Sequence, residues 1–459
     1  MAKRVVVVGG GFVGLSCAML LRRAGHAVTL LEAQAVASGV ASASYGNAGT
    51  FAAYACVHAN RPGLAWDLPR MLASSRSPLS IAPSPHLLRM LPWFAFFLQH
   101  CRADKVQASS AVLGALLARA EEAYADVWEA AGVHVDDAMG HFASSRRGET
   151  LPFAARHGYL LLQKTPAMMQ ASHSAASTRR ECVPGLRMEA LSTAEVLKLE
   201  PNLSPDAAGG GAWFFPDGWF LREPGALLRA LADGFVALGG EMRCGCQATR
   251  LTPHAGGVCI RLDPTQHGQG GVASIEADHV VVACGAHSTS LAKTIGDWFP
   301  LDTERGYHVE WPAGSDAVFT RAVCDPSQGF ICSPMSGGLR SAGKVELGGT
   351  AAAASPARCD ALDAGTRAIL SPAAADALGP RVAASDWLGF RPTMPDGLPV
   401  IGPSPRSPRV LYAFGHQHIG WTLGGITAQL ISKLVAGQQP DLDLTPLRPN
   451  RFSIASLLR

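Results

Sequence analysis

Charge is scarce in this chain. Of its 459 residues only 16% are Asp, Glu, Lys or Arg, against 48% hydrophobic residues, and the formal net charge is +3. Such a balance supports large apolar cores and excludes a nucleic-acid-tracking surface, because no cluster of Lys and Arg follows a phosphate backbone. The 11 cysteines are scattered, apart from Cys244-Gly245-Cys246, with no C-x-x-C pair and no Cys/His set at zinc-ligand spacing. They read as free thiols in a reducing cytoplasm, with no metal site. Internal repeats and charged tails are also missing. No run of 18 residues without charge reads as a membrane span. Leu87–Leu98 (LLRMLPWFAFFL) comes nearest, but it is short and carries Arg and Pro, so a core or interdomain helix is expected, with a patch resting on a membrane surface as the second reading. Lys3-Arg4 before an apolar run imitates a signal peptide, yet glycines interrupt the run where an h-region would continue. The N-terminus is therefore expected to be retained and the protein not exported.

What is present begins at Val5. Val5-Val6-Val7-Val8 reads as a strand buried on both faces of a parallel sheet, and Gly9, Gly11 and Gly14 follow at G-x-G-x-x-G spacing with Phe12 and Val13 between them. Glycines there allow a tight turn, close approach of a pyrophosphate and close helix–strand packing. Leu15–Ala24 reads as the helix whose N-terminus faces the phosphates, and Ala27–Leu31 as a second strand ending in Glu32 and Ala33. Glu32 lies 18 residues beyond Gly14, where a carboxylate accepts ribose hydroxyls and disfavours a 2′-phosphate. A dinucleotide site is the expectation. The small, polar stretch Ala37–Thr50 is placed to wrap that ligand.

Further along, the pattern turns to helical periodicity with proline breaks between Asn60 and Ala155, best seen over Ser110–Ala131, and reads as a helical insertion. Strands are expected at Gly158–Lys164, Gly211–Phe215, Glu241–Cys246 and Val258–Leu262, and helices at Ser192–Leu199 and Glu223–Leu238. His267–Gly271 reads as a hairpin tip. Asp278–Cys284 is a second doubly buried run, which predicts a return to the first sheet. Arg305–Trp311, Gly329–Pro334 and Lys344–Gly349 alternate like antiparallel strands of a second domain. Val410–Phe414 predicts one more strand, and Thr422–Val435 a helix with a threonine N-cap. The expected division is a nucleotide domain over 1–59, 223–296 and 388–459, and a substrate domain over 60–222, with its helical insertion, and 297–387.

Taken together, Val5–Glu32, Ser44-Tyr45-Gly46-Asn47-Ala48-Gly49, Ala283-Cys284-Gly285, Gly389-Phe390-Arg391-Pro392 with Asp396-Gly397 and Ile401-Gly402, and Gly415-His416 with Gly420-Trp421-Thr422 resemble the D-amino-acid-oxidase-like FAD oxidoreductases. Bacterial D-amino-acid dehydrogenases and relatives acting on D-proline or hydroxy-D-proline are the most similar members. The resemblance implies FAD and an α/β FAD-binding domain, Rossmann-like and discontinuous in sequence. It also implies an α+β substrate domain with a mainly antiparallel sheet, and oxidation of an amine carbon. FAD contacts are expected from Gly9, Gly11, Phe12, Val13, Gly14, Glu32, Ala33, Ser44, Asn47, Ala48, Gly49, Cys284, Gly285, Gly420, Trp421, Thr422 and Leu423. Only one strand-GxGxxG-helix unit is present, so no second nucleotide domain brings NAD(P)H to the flavin. Electrons must then enter from a substrate in the second domain and leave to an outside acceptor. The resemblance implies an amino acid and a quinone or other carrier, in the cytoplasm or at the inner membrane surface, with a glycine- or sarcosine-type oxidase using oxygen and a flavin-binding subunit of a larger dehydrogenase complex as the alternative readings.

Orienting an amino acid for oxidation requires a fixed cation for its carboxylate. Arg391 is the choice, since a guanidinium grips both oxygens in one plane. Tyr307, beside His308, resembles the family's second carboxylate contact, although an aromatic on such a strand serves equally as core. His418, with Gln417, is assigned to substrate selection. His416 either braces its turn or touches ligand, and Trp421 either walls a pocket or packs.

Overall fold

A computed structural model describes residues 1–36, 42–57, 59–67, 77–136, 141–144, 154–264 and 273–453. The expected hairpin tip at 267–271 and part of the 37–50 wrap lie outside the described residues. Strand β1 (Arg4–Val8) leads through the glycine turn into helix α1 (Phe12–Arg23), which begins three residues before the start read from its apolar spacing, and then into β2 (Ala27–Glu32). In the six-stranded sheet the order is Glu241–Cys244, β2, β1, His279–Val282, Val410–Phe414, Val400–Pro403. All neighbours are parallel except the last pair. The return of Asp278–Cys284 to this sheet is seen directly, with Val5 opposite His279 and Val8 opposite Val282.

Alternation along β1 explains its unbroken valine run. Val5 and Val7 enter a core with α1 and the closing helix Gly420–Ala436, while Val6 and Val8 enter another beneath the strands Cys246–His254 and Gly257–Pro264. The helical region between 103 and 131 is two helices, Ala103–Leu117 and Ala120–Ala131, with the break at Ala118–Arg119. The second of them packs on α1 and the closing helix, because its Tyr124, Val127 and Trp128 belong to the same core.

A second sheet of nine strands carries Trp387–Thr393, Asp302–Glu310, Gly338–Leu347 and Phe330–Met335 as antiparallel neighbours at one end. Helix Pro356–Ile369 covers one of its faces, burying Leu362 and Ile369 against Tyr307, Val309 and Leu339. Its other face meets the loop 42–49. Segment 86–99 forms two short helices, His86–Arg89 and Leu91–Gln99, and the second docks through Trp93, whose Nε1–H donates to the carbonyl of Thr393 at 3.0 Å. No described helix is long and apolar enough to cross a membrane.

The closing helix departs from its expected start. Its N-cap is Ile419, and Thr422 is interior, with Oγ1 accepting the Ala52 N–H at 2.9 Å. A threonine hydroxyl can cap a helix, but here it is taken by the N–H of Ala52, from a distant part of the same chain. Trp421 is packed with Phe12 at 4.6 Å and Tyr124 at 5.0 Å between ring centroids, and its carbonyl accepts the Tyr124 hydroxyl. A methyl at Gly424 would come within 2.4 Å of that hydroxyl oxygen. Tyr124→Phe should therefore cost only about 1 kcal/mol, Gly424→Ala about 1–3 kcal/mol through overpacking, and the double variant less than the sum. Chemical denaturation of the four proteins checks this coupling; strict additivity would mean that the two groups do not meet.

Candidate active site

Close packing shapes the glycine turn. Gly9 has φ +112°, and a Cβ there would stand 2.4 Å from the carbonyl oxygen of Ala283; a Cβ on Gly14 would stand 1.8 Å from the carbonyl oxygen of Gly9. Both contacts are with backbone, so neither position has room for a side chain. Gly11 differs, since its added Cβ would meet only the Ser44 hydroxyl, at 2.9 Å. That hydroxyl accepts the Phe12 N–H at 3.1 Å, and α1 has no acidic residue in its first turn to neutralise its positive end. Glu32 braces the turn, its carboxylate accepting the N–H groups of Gly10 at 2.6 Å and Gln34 at 3.1 Å, while Ala33 beside it is half-buried. Cys284 donates its thiol to the carbonyl of Val8 at 3.3 Å, and burial, with Glu32 nearby, pushes its pKa up to about 12; Gly285 follows at φ +54°. The closing helix arrives at the same place, because a Cβ on Gly420 would lie 3.9 Å from Val13. Leu423 is fully buried in the core behind it. Two helix N-termini thus converge on a side-chain-free turn, an arrangement that fits the pyrophosphate and anionic edge of FAD.

Loop 42–49 is held from the nine-stranded sheet. Arg340 donates to the carbonyls of Tyr45 at 3.2 Å and Asn47 at 3.0 Å, His308 Nδ1–H to that of Gly46 at 2.8 Å, and Ser333 to that of Ala48 at 2.7 Å. Burial and the charge of Arg340 push the His308 pKa down to about 4, so the ring is neutral; it stacks on Trp387 at 5.0 Å. Within the loop, Asn47 Oδ1 accepts the Gly49 N–H at 2.6 Å and the Asn47 amide donates to the carbonyl of Ser44 at 2.9 Å. The sequence reading gave the loop residues Ser44, Asn47, Ala48 and Gly49 to the cofactor but assigned no role to Arg340 or Ser333, the donors that hold the loop from the sheet.

Arg391 lies on the same face of the sheet as His308 and Trp387. Its guanidinium packs over Gly306, where a Cβ would be 2.4 Å from Nη2, and donates to the carbonyls of Lys344 at 2.7 Å and Gly343 at 3.4 Å. Among the described residues no carboxylate is in ion-pair contact with it. Burial lowers its pKa and nearby Glu304 opposes that effect. Tyr307 is not brought to this site: it points to the opposite, helix-covered face, where its hydroxyl donates to Glu346 at 2.6 Å and accepts the Ser355 N–H at 3.1 Å. One residue of strand parity separates it from Arg391.

The turn before the closing helix is tied to the Arg391 strand, with Gln417, at φ +51°, donating its N–H to the carbonyl of Pro392 at 2.8 Å. His416 is buried against Thr427 at 3.0 Å, which pushes its pKa down to about 3 and makes it a brace of the turn. His418 is exposed on the same turn.

Residues 4–434 match the family described as FAD dependent oxidoreductase, and the chain belongs to it. It is 30% identical over 98% of its length to a "D-amino-acid oxidase" of Bradyrhizobium diazoefficiens, covering 99% of that protein, and 28% identical over 98% to a "D-amino acid dehydrogenase" of Rhizobium johnstonii, covering 100%. Among solved structures, glycine oxidase from Geobacillus kaustophilus superposes with a TM-score of 0.69 at 21% identity, over 98% of this chain and 100% of that one. The protein is thus an FAD-dependent enzyme of amino acid oxidation. The glycine geometry predicts a split in phenotype. Gly14→Ala should lower both the melting temperature and FAD content, whereas Gly11→Ala should leave the apoprotein melting temperature near wild type and lower FAD content alone. Flavin absorbance and thermal denaturation of both variants check it; full FAD occupancy in Gly11→Ala would misplace the pyrophosphate.

Proposed function

We propose that the enzyme oxidises a D-amino acid or a cyclic secondary amino acid of the D-proline or hydroxy-D-proline type to the imino acid, passing the electrons to a quinone or other carrier. The carrying observation is Arg391: a half-buried guanidinium, fixed by two main-chain carbonyls and lacking any carboxylate partner among the described residues. A cation so placed costs stability unless an anion joins it, and an amino-acid carboxylate supplies one. FAD, when bound, would supply the acceptor for the Cα hydrogen and its electron pair. Arg391 contributes orientation and the neighbouring sheet face excludes water, so the chain acts chiefly through positioning. Tyr307 is left out of this assignment, while exposed His418 keeps a role in substrate selection. The relatives named dehydrogenases support a carrier over oxygen. Leu88, Leu91 and Leu98 stand exposed along 86–98 and offer a surface for peripheral contact with the inner membrane, where a quinone would be met.

Arg391→Ala should lower kcat/KM by about 10²- to 10⁴-fold, the loss of roughly 3–5 kcal/mol when a desolvated carboxylate is left unpartnered. Arg391→Lys should recover part of this, and FAD content should stay near wild type. Retained turnover in Arg391→Ala would remove the assignment. Anaerobic bleaching of the flavin across a panel of D-amino and imino acids tests the substrate class, and bleaching by glycine or sarcosine alone would overturn it. In air, peroxide produced in step with substrate oxidation would make oxygen the acceptor.

A further inference from the structure

A second ionisable group shares the face of Arg391. The strand register sets Glu304 directly opposite it, and directly opposite residues of an antiparallel pair stand on one face with Cβ atoms about 5 Å apart. Their charges nonetheless do not join. The guanidinium lies over Gly306 and donates to the carbonyls of Lys344 and Gly343, and no ion pair forms between it and Glu304. Glu304 is half-buried, and among the described residues its carboxylate accepts no hydrogen bond. On its other side stands Leu347, part of an apolar cluster with Met90 and Trp93 of the 86–99 segment. Burial pushes the Glu304 pKa up, against the opposing pull of Arg391.

The other charged groups on this face are already engaged. Asp302 is paired with His86 at 2.8 Å, Glu310 with Arg340 at 2.7 Å, and His308 is neutral. Helix Leu91–Gln99 carries no titratable side chain, and Arg305 points to the covered face, where it is paired with Glu346 at 3.0 Å. An unbridged cation and anion therefore remain side by side in apolar surroundings, the complement of a zwitterion.

We propose that Glu304 binds the α-ammonium of the substrate whose carboxylate Arg391 holds, and takes a proton from it. The proposal rests on the amino-acid reading above and adds a base to it. An ammonium nitrogen has no lone pair with which to form C=N, so one proton must leave before oxidation. In this step an N–H bond of the substrate breaks and an O–H bond forms on Glu304, converting R–CH(NH3+)–COO− into R–CH(NH2)–COO−. The freed lone pair then forms the C=N bond as the Cα–H bond breaks and its hydrogen leaves with both electrons to FAD. A cyclic secondary ammonium loses one of its two N–H protons in the same way. A carboxyl with a raised pKa suits this task, being a stronger base than an ordinary carboxylate.

Stability and activity should respond in opposite directions. A carboxyl whose folded pKa is raised favours folding only while protonated, and its ionised form opposes folding as pH rises through that pKa. Glu304→Gln and Glu304→Leu should thus melt at or above the wild-type temperature at neutral pH and retain FAD. In the Glu304→Gln holoenzyme, anaerobic bleaching with D-methionine, D-proline and D-arginine should show kcat/KM reduced by roughly 10²-fold or more at neutral pH for whichever of them the wild type oxidises. The deficit should shrink by roughly a factor of ten for each pH unit, because free amine then appears in solution and no base is needed. Benzoate, a carboxylate without an ammonium, should perturb the flavin spectrum of Glu304→Gln at wild-type concentrations or lower. Wild-type kcat/KM with a parallel pH profile would overturn the proposal, as would a loss confined to D-arginine, which would make Glu304 a reader of side-chain charge. Lost FAD or a lowered melting temperature with normal turnover per flavin would reduce it to a structural residue. Failure of the carboxylate site itself would show differently, as benzoate binding and turnover that survive Arg391→Ala.

Discussion

Strand parity is the constraint on which both halves of this enzyme depend. Successive side chains of a strand leave on opposite faces. In β1 the rule divides four valines between two cores and explains why the run needs no polar residue. In Asp302–Glu310 it divides chemistry from support. Glu304, Gly306 and His308 face the loop that wraps the cofactor, while Arg305 and Tyr307 face helix Pro356–Ile369.

The two faces treat buried charge in opposite ways. On the covered side Arg305 and Glu346 pair at 3.0 Å, and Tyr307 donates to the same carboxylate, so a desolvated cation, anion and hydroxyl satisfy one another. On the open side Arg391 has only main-chain carbonyls and Glu304 has no hydrogen-bond partner among the described residues. Pairing those two would relieve the cost of burial. The guanidinium instead lies over Gly306, two residues from Glu304, in space that a side chain at that position would occupy.

Local order in the sequence decided what could be read from it. The glycine turn was legible because β1, the three glycines and Glu32 are nearly consecutive, so their geometry is fixed by chain connectivity. Val410–Phe414 and His279–Val282 were legible for a related reason, since a doubly buried strand advertises itself as an apolar run. The start of the closing helix was misread because Thr422 can cap only if its hydroxyl is free, and the competing Ala52 N–H lies 370 residues away in the chain. The break at Ala118–Arg119 interrupts an apolar spacing that continues through it. Tyr307 was read as a carboxylate contact from its likeness to a strand of the family, and Glu304, three residues earlier, was given no role. The parity that separates them becomes visible only when Arg391 is registered across the sheet.

That register also couples the two halves. Arg340, His308 and Ser333 hold four carbonyls of loop 42–49 from the same sheet face that carries Arg391 and Glu304. The loop in turn reaches the nucleotide layer, where Ser44 accepts the first N–H of α1. Loop 42–49 is thus hydrogen-bonded at once to the nine-stranded sheet and to the N-terminus of α1. From the other side, Gln417 ties the closing helix turn to Pro392, next to Arg391. Arg391 and the N-termini of the two helices are therefore parts of one hydrogen-bonded frame. In such a frame the distance between reacting atoms is set by the fold before either ligand arrives, which is where an enzyme acting mainly by positioning must spend its stability.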